Sequence, residues 1–233
     1  MHFFYYFTIA TSILGFGFFL NNNLKIYSKN IGVIGFCGIF FLILISYLSS
    51  LFFAHTFQFN SFFLILGLLF FGYFFLKKNI DKVDLIKFIF VFTILFIFIL
   101  NGKNHDDFPY YHFAYTHMLT QNNHPIGIGL LNNGFRNPSS LFFLNSLFYL
   151  PKIDIYLYHI GSVFCLGFAN LFFLKNIFNY EIFKKFKFYN YINLFSLIFV
   201  NIFFSRLSEY GTDRAGQILL IIVFIVILMI INN

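Results

Sequence analysis

Long apolar runs, separated by short polar segments, make up most of the chain. A membrane-spanning helix needs about 20 mainly apolar residues, with roughly 17 to 25 tolerated. The runs therefore predict seven spans, at residues 3–20, 31–53, 57–76, 84–100, 155–174, 190–205 and 216–231. The expected fold class is all-α: a polytopic transmembrane helical bundle of about seven spans.

One polar segment, residues 101–154, is much longer than the other connections. It divides the chain into four N-terminal transmembrane helices within residues 1–100, a large loop, and three C-terminal transmembrane helices within residues 155–233. We expect the loop to carry the features that distinguish this protein, since the spans themselves are nearly uniform in composition.

The large loop contains signals for two short juxtamembrane helices. Pro109 suits a first helical turn and predicts a helix to about Gln121, with an aspartate as its N-cap. Asn137 followed by Pro138 predicts a second helix, which ends near Pro151. Both are too short to span, so we expect them to lie flat at the membrane surface with Phe and Leu buried on one side.

Composition supports the membrane assignment. The chain is 60% hydrophobic and 10% charged, with a mean hydropathy of +0.81, whereas about a quarter of the residues of an ordinary soluble domain are charged. The first run lacks a basic N-terminal region and a small-residue cleavage site, so we interpret it as a retained helix. Cys37 and Cys165 lie inside apolar runs and are expected to be buried apolar residues rather than a disulfide or metal pair.

The positive charge is distributed in a way that predicts orientation. The net charge of +7 comes mainly from Lys in short blocks between runs, a pattern typical of membrane proteins and not of nucleic-acid binding. Ten of the 15 Lys and Arg residues lie in three alternate connections. The positive-inside rule then places the N-terminus outside and the C-terminus inside the cytoplasm. Residues 101–154 and 205–215 share the outer face in this arrangement.

Acidic residues concentrate on that predicted outer face. Five of the eight lie there: Asp106, Asp107, Asp154, Glu209 and Asp213. Asp106 and Asp107 directly precede a predicted helix, whose dipole favours their ionised form. They could act as a general base towards a hydroxyl or amide acceptor, or bind a hard divalent cation such as Mg²⁺ or Mn²⁺. The alternative is that Asp107 only caps the helix and Asp106 is solvated.

A second charged cluster lies between the last two runs, at residues 205–217. Its charged residues are Arg206, Glu209, Asp213 and Arg214. The planar guanidinium suits bidentate binding of phosphate, and Arg136 of the large loop could join the two arginines of the cluster at a lipid-linked phosphate. The alternative is that these arginines pair with the neighbouring carboxylates or with lipid headgroups.

Histidines are frequent in the large loop, which contains His105, His112, His117 and His124. His112 and His117 are five positions apart and would lie about 140° apart on a helix, so the spacing does not favour a zinc site. We expect His105 or His112 to assist the aspartates. His159, within the fifth run, is expected to be a packing residue.

Small residues recur in the second run. Gly32, Gly35 and Gly38 are spaced every third position. No strand precedes them, so they do not indicate a phosphate-binding loop. The spacing instead predicts close packing of this helix against its neighbours.

Two stretches of the outer segments support a family resemblance. They are NHDDFPYYH at residues 104–112 with the sequence that follows to Pro151, and SEYGTDRAGQ at residues 208–217. They resemble an uncharacterised family of bacterial polytopic membrane proteins, whose plan is similar to that of the GT-C class of membrane glycosyltransferases. GT-C enzymes have an acidic motif in the first large outer loop, directly after a span, with short juxtamembrane helices beside it.

The resemblance implies a function and a set of site residues. A GT-C-like protein uses a polyprenyl-phosphate-linked sugar at the outer face of the bacterial inner membrane, in cell-envelope assembly. Asp106 or Asp107 would then be the catalytic carboxylate, and Arg136, Arg206 or Arg214 would face the donor phosphate. In GT-C enzymes the acidic loop normally follows the first span and the chain is longer, which leaves open that this chain is a truncated member.

Other function classes stay open at this point. A polysaccharide polymerase or ligase also works at the outer face with arginine-rich loops. A non-enzymatic transporter or envelope-assembly subunit is a further alternative, but transport predicts polar residues inside the spans. Few occur there apart from His159, Asn170, Asn193 and Asn201.

Overall fold

The computed structural model describes residues 1–77, 80–100, 106–178, 187–203 and 211–231. The helices are α1 (His2–Asn23), α2 (Ile31–Ser50), α3 (Phe57–Leu76), α4 (Lys82–Leu95), α5 (Ile97–Leu100), α6 (Phe113–Gln121), α7 (Ser140–Ser146), α8 (Ile160–Ile177), α9 (Lys187–Phe203) and α10 (Asp213–Ile231). A π-helical turn, Phe108–His112, leads into α6, and two 3₁₀ turns, Ile128–Leu130 and Asn133–Phe135, lie between α6 and α7.

Six of the described helical stretches are long and apolar enough to cross a membrane: α1, α2, α3, the α4–α5 stretch, α8 and α10. A seventh apolar helix, α9, is shorter. The chain is therefore a multi-pass integral membrane protein, and the prediction of an all-α bundle of about seven spans is confirmed.

The third predicted span matches α3, but the fifth begins later than predicted. α8 starts at Ile160 rather than at residue 155, because residues 155–159 form successive turns instead of a helix. The chain before them also turns sharply. Lys152 and Asp154 have φ angles of 68° and 51°, which are left-handed values that a helix cannot continue through. Leu150 pairs with Asp154 in an isolated bridge across this turn.

Successive helices run in alternating directions, so the connections fall at two ends of the bundle. We define the loop end as residues 51–56, 106–159 and 211–212, and the basic end as residues 24–30, 80–81 and 178. The ring of His2 lies 5.5 Å from that of Tyr156, which puts the N-terminus at the loop end. Which end faces the cytoplasm remains a prediction.

Glycines allow the first three helices to pack backbone against backbone. A Cβ atom on Gly38 of α2 would lie 1.9 Å from the Ile13 carbonyl oxygen of α1, and one on Gly15 of α1 would lie 1.9 Å from the Gly67 carbonyl oxygen of α3. A Cβ atom on Gly32 would lie 2.4 Å from the Phe168 carbonyl oxygen of α8. The predicted close packing of α2 is confirmed, because only the absence of a side chain permits such approaches.

Asparagines inside the later helices bond to one another. Asn170 of α8 and Asn201 of α9 exchange two hydrogen bonds, of 3.0 and 2.7 Å. Asn176 Nδ2 donates to Asn193 Oδ1 at 3.1 Å, and Asn30 Nδ2 donates to Asn176 Oδ1 at 3.1 Å. Paired amides of this kind hold membrane helices together, so these polar side chains stabilise the bundle.

We predict that Gly38→Ala lowers the thermal stability of the detergent-purified protein. The new methyl group would meet the Ile13 carbonyl, which cannot rotate away, and overpacking of this kind costs about 1–3 kcal/mol. Each kcal/mol corresponds to about 2–4 °C in Tm for a chain of this size.

Gly72→Ala is the matched control within α3. A Cβ atom there meets nothing within 4 Å, so Tm should stay the same or rise, since alanine is the better helix former. Equal effects of the two substitutions on Tm would contradict the packing described for Gly38.

Candidate functional site

The large loop folds into the bundle instead of lying flat on it. Every residue of α7 from Leu141 to Ser146 is buried, so the expectation of a surface helix with one buried side is wrong for α7. The helix begins with Ser139, whose side chain accepts from the Leu141 N–H, and not with Asn137 as predicted. The loop has a small core of its own, formed by Tyr115, Leu119, Ile128, Phe142 and Phe143.

Polar side chains tie α7 to α2 on one face and to α8 on the other. Ser46 Oγ of α2 donates to the Phe143 carbonyl at 2.5 Å. On the other face, the Asn145 side-chain oxygen accepts from the Gly161 N–H at 3.1 Å. Because the first N–H groups of a helix have no partner within it, Asn145 caps α8 from a different helix.

Asn60, one turn into α3, holds the end of α7. Its Nδ2 donates to the carbonyl oxygens of His55 and Ser146, both at 2.9 Å, and to that of Tyr149 at 2.8 Å. The amide has only two hydrogens, so one of them is shared between two acceptors. Asn60 is 1% exposed, so its amide is shielded from solvent.

His55 joins the same network from the connection between α2 and α3. Its Nδ1 lies 2.6 Å from Ser146 Oγ and its Nε2 lies 2.9 Å from Ser49 Oγ. Its backbone N–H donates to the Leu119 carbonyl of α6 at 2.8 Å. Burial lowers the pKa of His55 to about 4, and a hydrogen bond with the Ser46 backbone raises it by a smaller amount. The imidazole is therefore neutral at pH 7. Through its ring and its backbone N–H, His55 connects α2, α6 and α7.

Asp107 lies in this folded loop, directly before the π-helical turn. Its side chain makes no cap hydrogen bond to that turn, so the expected N-cap interaction is not formed. Asp107 Oδ2 instead accepts from the Tyr111 hydroxyl at 3.3 Å. The Tyr111 ring packs against Gly134, where a Cβ atom would lie 2.6 Å from the ring.

Asp213, at the start of α10, approaches the same phenol. The pKa of Tyr111 is raised, first by burial, then by the charge and hydrogen bond of Asp107, and finally by the charge of Asp213. Ser162 Oγ of α8 donates to the Gly211 carbonyl at 2.8 Å and so fixes the chain that leads into α10. The charges of two acidic residues far apart in sequence therefore both act on Tyr111, which stays protonated as a donor.

The two described arginines of the predicted site both lie at the loop end or in the first helical turn next to it. Arg214, half-buried in the first turn of α10, donates from Nη1 to Gln217 Oε1 at 3.0 Å. Arg136, which is exposed, donates from Nε to the Gly129 carbonyl at 3.4 Å.

The other described residues that the sequence analysis singled out, Asp106, His112 and His159, lie in different surroundings. Asp106 is exposed. His112 is buried, with its ring 4.4 Å from that of Tyr111 and 5.1 Å from that of Phe142. His159 lies directly before α8 rather than inside a span. Burial lowers its pKa to about 4.

Three predicted site residues, His105, Arg206 and Glu209, lie outside the described residues. Within the described part of the chain, no group of three or more His, Cys, Asp or Glu side chains could hold a metal ion. The Asp107 carboxylate is also engaged by Tyr111. The divalent cation that the aspartate pair suggested stays a prediction.

Sequence reasoning missed His55, Asn60 and Ser146. The available signal was the position of His55 in a connection of only six residues between two strongly apolar runs. A polar side chain there has little water to bind and needs a protein partner. The identity of that partner, on a helix about 90 residues away, is visible only in three dimensions.

Comparison of the chain with protein-family models, with curated proteins and with solved structures finds no match. The resemblance to GT-C enzymes therefore remains an expectation from the sequence. The interpretation of the site rests on the chain's own geometry.

We predict that His55 makes the protein less stable in acid. The folded protein resists protonation until about pH 4, whereas the unfolded chain takes up the proton near the ordinary pKa of 6.5. Stability is therefore lost as pH falls through this interval, by about 2 kcal/mol at about pH 5. The measurement is Tm in detergent at about pH 7.5 and about pH 5.

His55→Gln should have a lower Tm at neutral pH but a smaller drop in Tm between the two pH values. Some pH dependence will persist, because His159 is also buried with a lowered pKa. His2→Gln, at an exposed position, should behave like the parent. An unchanged drop in Tm in His55→Gln would contradict the prediction.

Proposed function

We propose that the protein transfers a sugar from a polyprenyl-phosphate donor to an acceptor hydroxyl at the loop end. We further propose that this end is the outer face of the bacterial inner membrane and that the product belongs to the cell envelope. The single observation that supports the proposal is the hydrogen bond from the Tyr111 hydroxyl to Asp107 Oδ2, at a phenol whose pKa the charge of Asp213 also raises. A protonated phenol beside a carboxylate orients that carboxylate as a base.

In the proposed reaction Asp107 takes the proton of the acceptor hydroxyl. The hydroxyl oxygen forms a bond to the anomeric carbon of the sugar, and the bond from that carbon to the phosphate oxygen breaks. Polyprenyl phosphate leaves with the electron pair. General-base catalysis of this kind contributes about 10²–10⁴-fold in rate. No step runs through a metal ion.

The arginines of the loop end would bind the donor phosphate. Arg136 uses its Nε for the Gly129 carbonyl, and its two terminal nitrogens can donate to phosphate oxygens in a bidentate manner. Arg214 lies one residue after Asp213, at the first turn of α10. The phosphate would therefore bind close to the two acidic residues.

The position of α10 also suits a lipid-linked donor. α10 begins at the loop end with Asp213 and continues as an apolar span. Leu220, Val223 and Phe224 are exposed along it. A polyprenyl chain could remain in the lipid beside these side chains while its phosphate reaches the arginines.

We predict that Asp107→Asn lowers sugar transfer by about 100-fold or more, because the amide cannot accept the proton. The measurement is turnover of a panel of undecaprenyl-phosphate hexoses by membranes that contain the full chain at matched abundance. Asp106→Asn and Arg214→Ala, in the same assay, separate the roles of the neighbouring carboxylate and of the phosphate-binding arginine.

Asp154→Asn is the matched control for Asp107→Asn. It makes the same chemical change in the same loop, at an exposed position whose left-handed φ of 51° asparagine tolerates. Its turnover should equal that of the parent. Equal turnover in Asp107→Asn and the parent would overturn the assignment of Asp107 as the base.

A further inference from the structure

A cavity of about 540 Å³ lies at the basic end, opposite the site described above. It is enclosed by the last turns of α1 and α3, the first turns of α2 and α4, and the end of α8. Its volume is within the range of about 300–1,000 Å³ that is typical of small-molecule sites. Nothing in the proposed sugar transfer uses it.

The lining of the cavity includes both apolar and charged side chains. The apolar residues are Phe18, Ile31, Ile34, Phe74 and Ile80. The charged residues are Lys29, Asp81, Asp84 and Lys175, two of each sign. A cavity of this composition fits a molecule that is itself both amphipathic and zwitterionic.

Buried Asp84 forms an ion pair with half-buried Lys175 in the lining of the cavity. Lys175 Nζ lies 2.8 Å from Asp84 Oδ2, and the Asp84 side chain is only 8% exposed. The other oxygen, Oδ1, is buried and makes no hydrogen bond to any described residue. A carboxylate of which only one oxygen is satisfied can still accept from a further donor, and a buried acceptor without one costs free energy.

Lys29 supplies further positive charge to the lining. It is exposed, and no hydrogen bond or ion pair joins it to the described residues. It lies two residues before α2, whose N-terminus also favours an anion. Asp81, by contrast, already accepts from the Val83 N–H at 3.1 Å as the N-cap of α4.

The connection between α1 and α2 is held in place around the cavity. Asn21 donates to the Ser28 carbonyl at 3.2 Å and accepts from the Ser28 N–H at 3.0 Å. Lys25 and Tyr27 have φ angles of 52° and 54°, which are rare for residues with side chains and are retained where the surroundings enforce them. The cavity is therefore preformed by a fixed loop.

We propose that this cavity binds a zwitterionic headgroup that carries a primary ammonium and a phosphate, as in phosphoethanolamine. The ammonium lies against Asp84 and donates to its carboxylate beside Lys175. The phosphate lies against Lys29 and the start of α2. The apolar lining residues pack against the carbon chain that follows the phosphate.

The charges select this headgroup over related ones. An anionic headgroup such as phosphoglycerol offers no ammonium to Asp84. A phosphocholine headgroup has the same net charge as phosphoethanolamine, but its quaternary nitrogen has no hydrogen to donate to the carboxylate. The need for an N–H donor at Asp84 therefore predicts preference for phosphoethanolamine over phosphocholine.

The test is a lipid-binding measurement on the delipidated full-length protein in detergent. Phosphatidylethanolamine, phosphatidylcholine and phosphatidylglycerol of identical chains are each titrated and followed by native mass spectrometry. We expect phosphatidylethanolamine to bind most tightly. Lys29→Gln should weaken that binding about tenfold, the loss typical of a charge-assisted hydrogen bond.

Lys25→Gln is the matched control, since Lys25 lies in the same connection but does not line the cavity. It should bind phosphatidylethanolamine like the parent. Asp84→Asn should remove the preference over phosphatidylcholine. Because that variant also loses a buried ion pair, its Tm is measured alongside, and Lys29→Gln remains decisive if it unfolds.

Free phosphoethanolamine in competition identifies the source of the headgroup. Displacement of the lipid at similar concentration assigns a soluble ligand, and failure to displace assigns a membrane lipid; both outcomes support the headgroup chemistry. Equal binding of the three lipids, or equal effects of Lys29→Gln and Lys25→Gln, would overturn the proposal. Neither result depends on sugar transfer, so failure here leaves the proposed function untouched.

Discussion

The structure depends on one constraint: polar groups buried at the edge of a membrane-spanning bundle must bond to one another. Asn60 satisfies three carbonyl oxygens at the end of α7 and in the connection before α3. Each ring nitrogen of His55 lies within hydrogen-bond distance of a serine hydroxyl. Without these two residues, the polar backbone at the end of α7 would be left in an environment without water, which is costly. The other contacts of the loop end depend on this network of hydrogen bonds.

The consequence is that the large loop is a fixed part of the bundle. α7 contacts α2, α6 and α8, and α6 in turn presents the π-helical turn with Asp107 and Tyr111. The Ser162–Gly211 hydrogen bond fixes the chain that leads into α10, and the charge of Asp213 there acts on Tyr111. A loop that lay loosely on the membrane would leave these acidic residues independent of each other. The opposite end of the bundle is organised differently, with a buried ion pair and a cavity in place of a folded loop.

Much of the fold could be predicted from the sequence, because apolar length and glycine spacing are local properties. α3 coincides with its predicted run, and the packing role of Gly38 follows from its spacing. The depth of α7 could not be predicted. Its sequence, rich in Phe and Leu, suits a surface helix as well as a buried one. Whether the helix is buried depends on long-range partners such as Asn60. At the site, Asp107 could be predicted as a candidate from its position after a span, whereas its hydrogen bond to Tyr111 is given only by the structure.

The most direct test of this account is the accessibility of α7. In a chain with Cys37 and Cys165 replaced by alanine, Leu144→Cys and Ser140→Cys are treated with a membrane-impermeant maleimide from the loop-end side. Leu144 is fully buried and Ser140 is exposed, so the account predicts that only Ser140→Cys reacts. Adding Asn60→Leu should make Leu144→Cys reactive. Rapid reaction of Leu144→Cys in the presence of Asn60 would contradict the account, since α7 would then lie at the surface.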